Sequence, residues 1–334
     1  MHGSGSSMPK ISTHLGYFGT GADRYNAGGY RAPTDALQRI ALAADTEGLD
    51  GVELHYPMMF KQTSVEEMKD ALRAFDLSCS IVSVSVWDEA CWGMGALTHP
   101  DAGVRRRAVE VIRRGMAVAR ELEAGRINLW LGQDGFDYPF QVDYGLANRW
   151  LIEALEELAT AEPGVRICLE YKPKEPRTHL TVSSAAKVLW LTEKIGLPNI
   201  GCLLDVGHAF LAYESPAESA VLLHSEQRLF HIHFNDNYGE WDWDMMPATV
   251  RFWENIELMF WLQQIGYRDW LSIDLNMPRG DPSTACRQSV RTLRWLWKLA
   301  ARLDHAEIRR NFAFTAHPNN IQAVMESVAG DLGP

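Results

Sequence analysis

Eight short apolar runs punctuate the chain, at residues 11–17, 51–55, 79–86, 126–131, 165–171, 200–205, 229–235 and 270–275. Between most of them lie longer segments with apolar residues three and four apart, at 33–47, 104–123, 146–158, 183–195, 252–265 and 286–303. Another helix is expected to open at Ser64, where Glu67 completes a capping box. Strands alternating with helices predict parallel βαβ units. Runs such as ICLEY, GCLLD and LFHIHF are apolar on both faces until their last residues, which suits strands buried between a core and a helical layer. Eight such units predict an α/β fold, a (β/α)8 TIM barrel. An open doubly wound sheet would want a glycine-rich phosphate turn after its first strand, and neither GxGxxG nor GxxxxGK[ST] occurs. The expected organisation is one barrel domain over 9–303 and a short C-terminal helical tail over 304–334. Residues 1–8, MHGSGSSM, read as a tag-like stretch without an apolar signal core.

Composition narrows the function classes. The 334 residues are 46% hydrophobic, too apolar for a disordered chain. With 32 basic and 43 acidic side chains the formal charge is −11, and no Lys/Arg stripe offers a nucleic-acid surface. No run approaches the roughly 18–20 apolar residues of a membrane span. Five scattered cysteines (Cys79, Cys91, Cys168, Cys202 and Cys286) fit neither a disulfide framework nor a CxxC zinc site. A cytoplasmic globular protein is expected. Its acidity is either solvated surface or carboxylates gathered for a cation, and composition leaves both open.

Position along the strands favours the cation. In such barrels chemistry sits at the C-terminal ends of the strands. Those ends carry His55, Trp130, Glu170 with Lys172, Asp205 with His208, His233 with Asn235, and Asp274; Asp242 and Asp244 follow the seventh strand. A mouth holding Glu170, Asp205, Asp242, Asp244 and Asp274 needs more counter-charge than Lys172 supplies, because unpaired buried carboxylates cost several kcal/mol each. A ligand set of nitrogen and oxygen without thiolate favours Mg²⁺, Mn²⁺ or Co²⁺. In DVGH the turn brings His208 to the mouth beside Asp205, and in DWD an extended loop would put Asp242 and Asp244 on one side. His231 lies deeper than His233 and reads as a hydrogen-bonded core residue. His14, His99, His179 and His224 read as structural or surface residues. Trp87, Trp92 and Trp130 are either ordinary packing or an apolar wall for a sugar.

These motifs together resemble the xylose isomerase-like TIM barrel superfamily, and within it the broad-specificity bacterial L-rhamnose isomerases. The segment CLEYKPKEP (168–176) is similar to the E-x-K-P-x-E-P run of xylose isomerases. LDVGH (204–208), HFNDN (233–237) with Asp242 and Asp244, and SIDLN (272–276) resemble segments of rhamnose isomerases. LHYP (54–57) and LWLGQDGFDYPFQ (129–141) resemble the second- and fourth-strand segments. The resemblance spans about residues 50 to 280.

The resemblance implies a metal-dependent aldose–ketose isomerase with two divalent cations, Mn²⁺ or else Mg²⁺ or Co²⁺, in carbohydrate metabolism. Glu170, Asp205, His233 and Asp274 would hold the ion that binds substrate oxygens. His208, Asp242 and Asp244 would hold the other. Catalytic roles would fall to His55, Lys172, Asp242 and Asp274, and substrate contacts to His55, Trp87, Trp130, Lys172 and Asn235. The implied partners are a monosaccharide substrate and a second or further copies of the chain, as a homodimer or homotetramer, with neither nucleic acid nor membrane. The alternatives are a ketose 3-epimerase or another metal-dependent epimerase or lyase on the same barrel, a phosphodiester-cleaving barrel, and a catalytically silent sugar-binding protein.

Overall fold

A computed structural model describes residues 8–312 and 315–331; the tag-like residues 1–7 lie outside the described residues. Eight parallel strands close into a barrel in chain order. They are β1 (Ile11–His14), β2 (Gly51–Tyr56), β3 (Ser78–Val84), β4 (Arg126–Trp130), β5 (Arg166–Glu170), β6 (Ile200–Asp205), β7 (Leu229–Phe234) and β8 (Leu271–Ile273). The ring closes where Ile11 pairs with Leu271. All eight expected strands therefore form, and the fold is a (β/α)8 barrel. The strands are apolar on both faces because one face meets the barrel interior and the other meets the helices.

The helices are α1 (Ala36–Ala44), α2 (Val65–Ala74), α3 (Ala102–Glu121), α4 (Tyr144–Ala161) and α5 (Ala185–Ile195), then α6 (Val206–Leu211), α7 (Pro216–Ser225), α8 (Phe252–Gln264) and α9 (Pro282–Arg302). Most begin at an Asp or Ser whose side chain accepts from the first-turn backbone. The capping box expected at Ser64 and Glu67 is present. The tail forms α10 (His305–Arg310) and α11 (His317–Asp331), with Asn320 donating to the carbonyl of Ile308. No described helix is long and apolar enough to cross a membrane.

Inside the barrel a polar layer rests on an apolar plug. Ser83, Glu170 and Asp205 point inward, and the residues two before them, Ile81, Cys168 and Leu203, share their face. Those three pack with Phe230 as a cluster separate from the main core between sheet and helices. The plug keeps the site's chemistry at one end.

Above β4 and β5 the loops are tied together. Gly135–Phe136 pairs antiparallel with His179–Leu180. Fully buried Asp134 accepts from the backbone N–H groups of Ala96 (3.0 Å) and Thr98 (2.6 Å) and from the Thr98 hydroxyl (2.7 Å). A buried donor left without a partner costs about 1–3 kcal/mol. Asp134→Ala strands several at once and is expected to lose about 2–4 kcal/mol of stability in urea unfolding. Asp134→Asn, which keeps an acceptor, should lose much less.

Candidate metal centre and active site

The strand ends converge on a cavity of about 230 Å³ at the barrel mouth. His14 reaches it from β1, Glu53 and His55 from β2, Asn128 and Trp130 from β4, and Glu170 and Lys172 from β5 and its end. His208 enters from α6, His233 from β7, Asp242 and Asp244 from the following loop, and Asp274 from just beyond β8. Asp205 ends β6 and caps α6, its carboxylate accepting from His208 N at 2.8 Å.

One set of ligand atoms is tightly gathered. Glu170, Asp205, His233 and Asp274 each place one such atom within 4.8 Å of the others. Each buried carboxylate is steered by a neutral donor. Asn128 donates to Glu170 Oε2, and Asn235 donates to Asp205 Oδ2 at 2.8 Å. His233 Nε2 lies 2.8 Å from Glu53 Oε2, and a carboxylate oxygen accepts, so Nε2 is the donor. The ring's other nitrogen, Nδ1, is buried without a hydrogen-bond partner. It stands 3.3 Å from Asp274 Oδ2, 3.6 Å from Glu170 Oε1 and 3.8 Å from Asp205 Oδ2. Three carboxylates and an imidazole aimed at one point, without hydrogen bonds among them of normal length, suit a divalent cation.

The electrostatics point the same way. Burial, with Asp242 and Glu170 adding to it against His208, pushes Asp205 up to about 7. Burial, with Asp242 and Asp274, holds Asp244 well above the usual carboxylate range. The pocket carries more negative charge than its cations balance. No thiolate competes, since burial pushes the Cys168 thiol up to about 12 and the cysteines are free. The nitrogen and oxygen donor set therefore fits a hard divalent ion.

The second expected set is not gathered in this way. His208, Asp242 and Asp244 form no cluster of that tightness among the described residues. Instead His208 Nε2 meets Asp242 Oδ2 at 2.8 Å, and Lys172 Nζ reaches the same oxygen at 3.0 Å. Burial opposes charge on His208, yet Asp205 and Asp242 outweigh it and raise the imidazole to about 9. Burial likewise opposes charge on Lys172, but Asp242 and Glu175 keep it protonated. The two cations thus already neutralise Asp242. The extended loop expected around Asp242 and Asp244 does not form either. Asp244 has φ 45°, a left-handed conformation Asp tolerates, and its carbonyl accepts from Asn276 N at 3.0 Å. Both carboxylates nevertheless line the cavity.

Other expectations resolve individually. His55 lines the cavity, and burial followed by the neighbouring His14 lowers it to about 4, so it is neutral. Trp87 and Trp130 form the cavity's aromatic wall, edge to face with centroids 5.0 Å apart. Asn235, expected to touch substrate, is instead fully buried and holds Asp205. His231 is buried as expected, but neither of its nitrogens has a hydrogen-bond partner; it gathers with Glu53 and His233 beneath the mouth. His14, read as structural or surface, belongs to the site: its Nδ1 lies 3.5 Å from Asp274 and its ring 4.3 Å from that of His55. Glu53 and Asn128 were missed. Strand alternation puts Glu53 on the same face as His55, and that signal was available in GVELH.

Comparison with known proteins agrees with this architecture. A family model described as xylose isomerase-like TIM barrel matches residues 40–296. A protein named probable sugar isomerase, from Mesorhizobium japonicum, is 27% identical over 242 residues, 68% of this chain and 54% of that protein. The xylose isomerase of Thermus thermophilus is 26% identical over 229 residues, 64% of this chain and 58% of its own. The chain thus spans about half the length of these curated relatives. The crystal structure of a D-tagatose 3-epimerase-like protein superposes with a TM-score of 0.68 at 19% identity, over 87% of this chain and 98% of that one.

Proposed function

The chain belongs to the xylose isomerase-like TIM barrel family, and from that premise we propose that it is a divalent-metal-dependent aldose–ketose isomerase of the L-rhamnose isomerase kind. The observation that carries this reading is the gathering of Glu170, Asp205, His233 and Asp274 within 4.8 Å, in a cavity also lined by Lys172 and His55. Those four would hold one cation. His208, Asp242 and Asp244 would hold a second, with Mn²⁺ preferred over Mg²⁺ or Co²⁺. When bound, the cations supply Lewis-acid polarisation of two neighbouring oxygens of an open-chain sugar.

The chain's own groups account for the remaining roles. Neutral His55, whose Nε2 has no hydrogen-bond partner, accepts the proton of the anomeric hydroxyl and returns it to the ring oxygen as the ring C–O bond breaks. Protonated Lys172 donates an N–H to the carbonyl-side oxygen, steadied by Asp242 at 3.0 Å and by Glu175. Its ammonium also stands 5.3 Å from the ring centroids of both Trp130 and Trp241, where the indole faces favour a cation and exclude water.

The test is metal-dependent interconversion of a panel of aldoses and ketoses, L-rhamnose included, with Mn²⁺, Mg²⁺ or Co²⁺. Absence of turnover on every pentose and hexose would sink the reading. Asp242→Asn should lower kcat by about 100-fold or more while circular dichroism is unchanged; full activity would remove Asp242 from the machinery. One observation favours a second reading. Since His208, Asp242 and Lys172 already satisfy one another, a single cation on the gathered set would suit a ketose 3-epimerase. Turnover in D₂O separates the two: proton abstraction incorporates deuterium at carbon and a hydride shift does not.

A further inference from the structure

The catalytic cavity does not end at its aromatic wall. Trp87 and Trp130 also line a second cleft, of about 340 Å³, together with Gly132, Gln133, Glu175 and Arg177. Gln133 and Arg177 in turn border a third space of about 310 Å³ beside Met94 and Phe136. Shared lining residues thus run from the aromatic wall of the inner cavity out over the loops above β4 and β5.

The second cleft is built into the fold. Its wall depends on Gly132, where a Cβ would stand 2.5 Å from Trp130 Cη2, so only glycine lets the indole lie there. Its loops are fixed by the ribbon of Gly135–Phe136 on His179–Leu180 and by the three bonds to buried Asp134. Asp137 binds Arg177 at 2.9 Å and the Thr178 hydroxyl at 2.6 Å. The space is therefore preformed, as small-molecule sites usually are.

Its chemistry identifies the occupant. Arg177 is paired with Asp137, and Glu175 is paired with Lys172. With both charges internally balanced, the cleft does not call for a phosphate or carboxylate. What remains is indole surface, proline and the Gln133 amide, a combination suited to a neutral polyhydroxylated ring. The inner cavity, at about 230 Å³, falls below the roughly 300–1,000 Å³ of sites for larger ligands and suits one sugar unit.

We propose that the substrate is a reducing disaccharide, with its reducing unit, whose anomeric carbon is free to open, in the inner cavity and the second, uncharged unit across the Trp87–Trp130 pair. This rests on the sugar-transforming reading of the inner site. Glu175 lines the outer cleft and also holds Lys172, so the second unit touches the partner of the residue placed at the carbonyl side.

The experiment measures binding and turnover by the full-length, Mn²⁺-loaded protein. D-Glucose, D-mannose and L-rhamnose are compared with the reducing disaccharides cellobiose, maltose and lactose. The expected result is a reducing disaccharide bound about tenfold or more tighter than its monosaccharide, a gain within reach of one added ring contact. Gln133→Trp, which fills the outer cleft, should erase that gain and leave monosaccharide binding within about twofold. Monosaccharides that bind while the larger sugars bind no better, or a gain that survives Gln133→Trp, would overturn the proposal and leave the sugar reading standing. Failure of every sugar, large and small, would overturn both. If the variant does not fold, the wild-type comparison alone decides.

Discussion

Asp205→Asn is expected to abolish metal-induced stabilisation and turnover while leaving the metal-free protein at least as stable as wild type. The substitution keeps the shape. An amide oxygen still accepts from His208 N, so the cap of α6 survives. The amide nitrogen then faces Asn235, whose side-chain oxygen has no partner and can turn to accept. What disappears is a charge in a fully buried position. Burial pushes Asp205 up to about 7, above its value in the unfolded chain. A carboxyl of that kind contributes stability that is fully present below the unfolded value and lost as pH rises through about 7. The variant's advantage without metal should therefore be largest at pH 8 and shrink steadily towards pH 4. With metal the sign reverses. A ligand at 100 times its Kd stabilises the wild type by about 2.7 kcal/mol, and the variant forgoes most of this because the gathered set has lost a charged donor. Thermal melts with and without MnCl₂ at the two pH values read both effects. An equal metal-induced rise in Tm for variant and wild type would remove Asp205 from the ligand set.

The barrel was legible because its strands must be buried on both faces, and that requirement writes itself as apolar runs such as ICLEY and GCLLD. The return helices were legible where one face is wet. They were not legible between β6 and β7. Every residue of α6 is buried, and α7 buries Ala217, Ala220 and Leu223 while also carrying exposed Leu222. Neither presents the single apolar stripe that helical periodicity detects. The site divides along similar lines. Acids and imidazoles at strand ends could be read by position alone, which located Glu170, Asp205, His233 and Asp274. Glu53 lies two residues below the mouth and looks like a strand residue of no particular role until the barrel closes and β7 brings His233 to it. His14 becomes part of the site only because β1 meets β8, a contact between opposite ends of the barrel sequence. The relation of Asp242 to Lys172 depends on a loop turned by a left-handed Asp244, which no spacing rule announces.

Glu53→Gln is expected to weaken Mn²⁺ binding by about 10–100-fold without unfolding the protein, the range for losing a carboxylate that orients a ligating histidine. Glu53 is 1% exposed. Its Oε2 receives His233 Nε2 at 2.8 Å, while its Oε1 accepts from the Ser83 hydroxyl. A carboxylate so placed keeps a hydrogen on Nε2, so Nδ1, which faces Asp274, Glu170 and Asp205, is the nitrogen left to give up its proton and ligate a cation. Gln has nearly the same volume and can still accept from Ser83, so packing is preserved. Its amide, however, can present an N–H to His233 Nε2. That stabilises the opposite tautomer, with hydrogen on Nδ1, which cannot ligate. The loss should therefore appear as a weaker metal Kd by calorimetry, with the metal-free Tm little changed, and raised Mn²⁺ should restore much of the turnover. A purely structural role predicts the reverse pattern: a lowered metal-free Tm and an unchanged Kd. A Kd within twofold of wild type would show that His233 finds its ligating tautomer without Glu53.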